Sequence, residues 1–120
     1  MKVIIDLIED IRTAINNDKS FSLASMGLKE EKSGEFFPLW ESGICSMKVD
    51  DAQRRLFLFL GKDQPLYIGD LLEDLNALSN EKMMYEVCVS YSKKNRRYDN
   101  ALIGFAESFE EKKYFVYVSE

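Results

Sequence analysis

The apolar positions divide the chain into two segments of helical period and six that read as strands. From Val3 to Asn17 they recur at helical spacing, with Val3, Ile4, Leu7, Ile8, Ile11, Ala14 and Ile15 sharing an arc of about 140°. Asp6, Glu9, Asp10, Arg12 and Thr13 take the opposite side, and the early acids suit the helix dipole. Asn16-Asn17-Asp18 supplies a stop. A second helix is expected from about Ile68 to Ser79, with Ile68, Leu71, Leu72, Leu75 and Leu78 on one arc and Asp70, Glu73 and Asp74 facing outward.

Three strand-like runs follow each helix. Phe21 to Lys29 is the first, closed by a polar turn through Glu30, Glu31, Lys32, Ser33 and Gly34. In the region Phe36 to Val49, Pro38 confines the first part to an edge or a bulge and Gly43 reads as a break. Its second part alternates Cys45, Met47 and Val49 with Ser46, Lys48 and Asp50, the pattern of a half-buried strand. A turn at Asp50–Gln53 leads to Leu56–Leu60, apolar on both faces. After the second helix, strands are expected at Met84–Ser92, Ala101–Ser108 and Lys113–Ser119, with loops at 93–100 and 109–112. The first of these places Tyr85, Val87, Val89 and Tyr91 on one face.

The resulting order, α-β-β-β-α-β-β-β, predicts an α+β fold: antiparallel sheet or sheets with two helices packed mainly on one face. The halves share their element order and nearly their length, an internal pseudo-repeat of architecture. No residue correspondence between the halves is read.

The length of 120 residues fits a single domain, 1–120, that buries roughly two-thirds of its unfolded surface and needs no disulfide or metal to do so. Histidine is absent, which removes the commonest general base and the commonest metal ligand. Neither a G-x-G-x-x-G nor a Walker loop occurs. The i,i+4 pairs Asp6/Asp10 and Asp70/Asp74 read as solvated helix surface. The E-x-K triplets at Glu30–Lys32 and Glu110–Lys112 are too short to carry weight in so charged a chain. A non-catalytic protein without cofactor or metal is therefore expected.

Cys45 and Cys88 lie far apart in strand-like segments, as small buried hydrophobes in a reducing cytoplasm do. Asp6, Glu9 and Asp10 interrupt the apolar N-terminal segment, so neither a signal peptide nor a membrane span is expected. The net charge of -5 is spread over both halves and argues against nonspecific nucleic-acid binding by the whole surface.

Two stretches stand out as contact candidates. Phe36, Phe37 and Trp40 gather aromatic side chains on the Pro38-bearing segment and suit an apolar partner-binding edge; their structural alternative is to close one end of the core. Lys93, Lys94, Arg96, Arg97 and Tyr98 suit a phosphate or an acidic protein surface; their structural alternative is a solvated hairpin tip. A coverage estimate adds to the first. Six strands span about 29 Å and two helices cover only about 20 Å, so curvature, sandwich closure or another chain must cover the remainder.

The expected function is that of a small acidic protein that binds and blocks a macromolecular partner. Such domains are common among mobile-element inhibitors, including anti-CRISPR proteins, and among toxin-immunity proteins. The acidic faces Asp6/Glu9/Asp10 and Asp70/Glu73/Asp74 suit a basic nucleic-acid-binding protein or nuclease. The alternatives are a self-associating chaperone-like or scaffold homodimer and a nucleic-acid-binding accessory protein using the 93–98 basic loop.

Overall fold

The computed structural model describes the backbone of residues 2–17, 26–32, 35–61, 66–108 and 113–118, and the side chains of 2–15, 43–61, 66–92, 94–105 and 114–118. Its elements are α1 (Ile4–Asn17), β1 (Met26–Lys32), β2 (Glu35–Asp50), β3 (Arg55–Gly61), α2 (Ile68–Asn76), a short 3₁₀ turn (Asn80–Lys82), β4 (Glu86–Lys93), β5 (Arg96–Ser108) and β6 (Lys113–Val118). The α+β class and the element order are those the periodicity predicts.

The second helix ends at Asn76 rather than Ser79, and β4 begins at Glu86 rather than Met84. Three further differences from the sequence expectation arise because a pairing partner decides them. Glu30, Glu31 and Lys32 belong to β1 rather than to a turn, since they pair with Phe37, Phe36 and Glu35. Pro38 and Gly43 do not break β2, because shifts in register between Gly27 and Lys29 of β1 absorb the extra β2 residues. The expected loop 93–100 is mostly strand. Only Lys94 and Asn95 form the turn, both with positive φ as a two-residue hairpin needs. At the other hairpin, Asp50 accepts hydrogen bonds from the Gln53 backbone N–H and Nε2, at 3.0 and 3.1 Å.

The six strands close into a barrel in sequence order. Four joints are antiparallel, but β3 pairs with β4 and β1 with β6 in parallel, so the sheet is mixed rather than purely antiparallel. The α2 crossover explains the first parallel joint, because it carries the chain back before β4 starts.

Closure also answers the coverage problem, which assumed a flat sheet. Leu56, Leu58, Val87, Val89, Leu102, Tyr114, Val116 and Val118 form one cluster with Ile4, Leu7, Ile11, Ile68, Leu71 and Leu75, all fully buried. The helices therefore lie against the inner face of the curl. Among the described residues, the exposed large hydrophobics are Tyr67, Met84 and Tyr98, scattered over three segments. They make no contiguous apolar patch of the kind the flat-sheet estimate required.

The barrel has an internal dyad that reaches residue level. Ile44 pairs with Leu60 as Leu102 pairs with Val118, and each strand bulges by one residue directly afterwards, at Cys45 and Ile103. Gly27 pairs with Gly43 as Cys88 pairs with Ala101. The Lys2 N–H donates to the Leu102 carbonyl at 3.0 Å, and the Leu66 N–H to the Ile44 carbonyl at 2.7 Å. These equivalences align Ile4-Ile5-Asp6-Leu7-Ile8-Glu9-Asp10 with Ile68-Gly69-Asp70-Leu71-Leu72-Glu73-Asp74 and Leu56-Phe57-Leu58-Phe59-Leu60 with Tyr114-Phe115-Val116-Tyr117-Val118. The repeat is thus one of sequence as well as architecture, which corrects the reading above. The dyad carries every strand to one of the same direction three places round, so it runs along the barrel axis.

Candidate functional site

The acidic residues of the two helices are placed by the same rule that buries Leu7 and Leu71: at 3.6 residues per turn, the side opposite an apolar stripe must meet water. Glu9, Asp70, Glu73 and Asp74 are exposed. Asp6 and Asp10 are half-buried and engaged, Asp6 accepting from the Val3 N–H at 3.1 Å as an N-terminal cap and Asp10 paired with Lys2 at 3.1 Å. Arg12 donates to Asn76 Oδ1 at 2.8 Å, a bond between dyad-equivalent positions that ties one helix to the other. α1 and α2 carry six carboxylates against Arg12 alone, and this surplus equals the net charge of the chain. Everything outside the helices is electrically balanced.

The two contact candidates from the sequence prove to be dyad mates. Phe36 and Phe37 pair with Glu31 and Glu30 as Arg97 and Tyr98 pair with Ser92 and Tyr91. Both lie on hairpin arms, β1–β2 and β4–β5, which leave the barrel at the same end on opposite sides of its axis. The backbone of Phe36, Phe37 and Trp40 is in β2, and their side chains lie outside the described ones, as does that of Lys93.

Among its described side chains, the basic cluster does not converge. Strand alternation sends Arg97 to the outer face of the barrel and Tyr98 to the inner, where Tyr98 stacks on Tyr91 at 5.5 Å between ring centroids. Lys94 is on the turn and Arg96 precedes Arg97 on β5, so they point elsewhere.

Arg97 instead joins a group that the sequence reading did not pick out. On the outer face, Lys48 of β2 stands beside Phe57 of β3, and Phe59 beside Ser90 of β4, which in turn pairs with Asp99 of β5. The Arg97 guanidinium lies over both phenyl rings, 5.7 Å from the centroid of Phe57 and 5.6 Å from that of Phe59. Its Nε donates to Ser90 Oγ at 2.9 Å and to Asp99 Oδ1 at 3.0 Å. Ser90 is 3% exposed, so Arg97 is anchored on a buried hydroxyl. Lys48, Asp50, Gln53, Phe57, Phe59, Arg97 and Asp99 line an open groove of about 350 Å³. The signal was the double alternation of Leu56–Leu60: a strand apolar on both faces leaves two phenyl rings outside the barrel that something must cover.

Cys45 and Cys88 are both thiols. Burial pushes the Cys88 thiol up from its ordinary range, with nearby Glu86 adding to the effect. Because the folded state favours the neutral thiol, this contribution to stability is whole below the unfolded pKa and is lost as pH rises through the folded one. In excess thiol reagent at pH 8, half-buried Cys45 is expected to react on the order of ten-fold faster than Cys88. Equal rates for Cys45→Ser and Cys88→Ser proteins contradict this.

Among the described residues no group of three or more Cys, Asp or Glu is placed to hold a metal ion, and no helix is long and apolar enough to cross a membrane. Compared with known protein families, curated proteins and solved structures, the chain shows no match.

Proposed function

We propose that this is a non-catalytic binding protein whose paired helices dock on a basic surface of a protein partner. The observation that carries this reading is the location of the charge. The whole surplus of -5 sits on two joined helices, in a motif present in both halves, while the barrel around them is neutral. Such a face draws a basic partner electrostatically and then blocks it by occupying its surface. Where that surface is a nucleic-acid groove, carboxylates replace phosphates, and the protein acts as an inhibitor of a nuclease or other nucleic-acid-binding protein. Anti-CRISPR and toxin-immunity proteins work in this class, in the reducing cytoplasm that two distant thiols suit.

The test is a triple substitution, Asp70→Asn, Glu73→Gln and Asp74→Asn, in affinity capture from nuclease-treated lysate. A basic protein captured by the native chain is expected to bind the variant at least ten-fold more weakly, and the native complex to weaken steeply with salt. Undiminished capture by the triple variant overturns the reading. Capture abolished instead by Phe36→Ala, Phe37→Ala and Trp40→Ala transfers the interface to the β1–β2 arm. Nucleic-acid binding that is lost when Lys93, Lys94, Arg96 and Arg97 become Ser replaces the reading with the accessory-protein alternative. Sedimentation is expected to give a single 13.9 kDa species, because closure of the barrel supplies the cover for which a homodimer was invoked.

A further inference from the structure

We infer that the groove on the outer face of β2–β5 is a binding site for the oxyanion of a small molecule, a phosphate monoester or carboxylate carried on a flat apolar body. The site is independent of the acidic helices. Arg97 is held by four contacts: the two phenyl faces beneath it and the Nε bonds to Ser90 and Asp99. Those bonds use the inner edge of the guanidinium. The two Nη groups have no partner among the described residues, so the fork that matches a carboxylate or phosphate is presented already oriented. A surface arginine normally loses rotamer freedom on binding; the ring contacts and Nε bonds already restrict that of Arg97, although its side chain is 57% exposed.

The charges lining the groove sum to zero, Lys48 and Arg97 against Asp50 and Asp99. Arg97 is ion-paired with Asp99 through Nε, and Asp50 accepts from the neutral Gln53 at the β2–β3 turn. What the groove offers an anion is donors rather than net charge: the Nη groups of Arg97 and the ammonium of Lys48, beside Phe57. Phe59 is only partly buried under Arg97 and offers apolar area next to the anion position.

The dyad separates what this groove needs from what the barrel needs. It carries Phe57 and Phe59 to Phe115 and Tyr117, so an aromatic pair on the outer face is common to both halves. It carries Lys48 to Ala106, Asp50 to Ser108, Ser90 to Lys29 and Arg97 to Phe36. At the position of Arg97 the other half has a phenylalanine, so the barrel closes without an arginine there. The half described here sets buried Ser90, Arg97 and Lys48 beside its rings.

The experiment is NMR titration of the ¹⁵N-labelled full chain with phenyl phosphate, benzoate and inorganic phosphate, read at the Arg97 Nε–H and the amides of Ser90, Phe59 and Lys48. Saturable shifts with a millimolar Kd are expected for at least one aryl anion. The preferred aryl anion is expected to bind about five-fold tighter than inorganic phosphate, as a ring contact with Phe59 provides. Comparing phenyl phosphate with benzoate shows which oxyanion the fork prefers. Arg97→Gln is expected to lose binding at least ten-fold, and Arg97→Lys nearly as much despite keeping the charge, because an ammonium cannot form the fork. Lys48→Ala, away from the anchor, weakens binding a few-fold and keeps the fold intact. Linear shifts that never saturate, shifts that persist in the Arg97→Gln protein, shifts centred on Lys94 and Arg96, or equal affinity for all three probes each overturn the proposal.

Discussion

Replacing Leu71 with Ala is expected to lower the unfolding free energy by about 3 kcal/mol, and replacing its dyad mate Leu7 by a similar amount. Both side chains are fully buried where the helices meet the inner face of the barrel, so each substitution leaves a cavity that neither a closed sheet nor a packed helix pair can collapse into. Against a typical total of about 5–15 kcal/mol, either change removes a large fraction of the stability. Urea unfolding followed by circular dichroism measures it as a shift in midpoint at constant slope. Leu72→Ala is the control: it is only partly buried and is expected to cost about 1 kcal/mol. Losses below about 1 kcal/mol for Leu7→Ala and Leu71→Ala would place the helices outside the core.

Cutting the chain within residues 62–65 is expected to give two fragments that fold together and not apart. Each has one helix and three strands, and each loses both parallel joints, β3–β4 and β1–β6, to the cut. A lone half exposes Leu56 and Leu58, or Tyr114, Val116 and Val118, together with two unpaired strand edges. If the intact chain is stable by about 8 kcal/mol, and the linker supplies an effective concentration on the order of millimolar, the halves associate with a Kd in the nanomolar range. Co-purification through a tag on one half, with recovery of the native circular dichroism spectrum on mixing, is the measurement. Fragments that each form a stable monomer, or that never recover the native spectrum together, rule out the interlocked barrel. A fragment that pairs with a second copy of itself agrees with the dyad, since both halves present equivalent edges.

Part of the dyad was open to view in the sequence. Asp6, Glu9 and Asp10 recur as Asp70, Glu73 and Asp74 with the same intervening leucine, and both sets had been picked out as acidic faces. The correspondence was missed because the halves differ in the lengths that join their parts. α1 has 14 residues and α2 has 9, and β2 takes extra residues between Pro38 and Gly43 that β5 lacks, so no single shift aligns one half with the other. The register of the strands restores the alignment piece by piece.

The candidate sites were legible to different degrees for the same reason. Of the helix acids, Glu9, Asp70, Glu73 and Asp74 emerge exposed as a period of 3.6 predicts, whereas Asp6 and Asp10 are half-buried and engaged rather than solvated. The run Lys93–Tyr98 looked like one basic cluster, but alternation along β5 divides it between two faces of the barrel. The groove partners of Arg97 come from β2, β3 and β4, and nothing in their local sequence connects them.

By itself the sequence determined the two helices, the α+β element order, the inward face of Val87, Val89 and Tyr91 and the exclusion of imidazole chemistry, because periodicity and composition are local properties. The tertiary structure alone decided that the sheet closes, that two of its joints are parallel, that the apolar faces of both helices pack on its inward side chains and that Arg97 lies over Phe57 and Phe59. Those features depend on which distant backbone groups pair, as Met26–Glu30 do with Tyr114–Val118. Pairing across such separations is settled by the geometry of the whole chain, through the need to bury every apolar face and satisfy every strand edge at once.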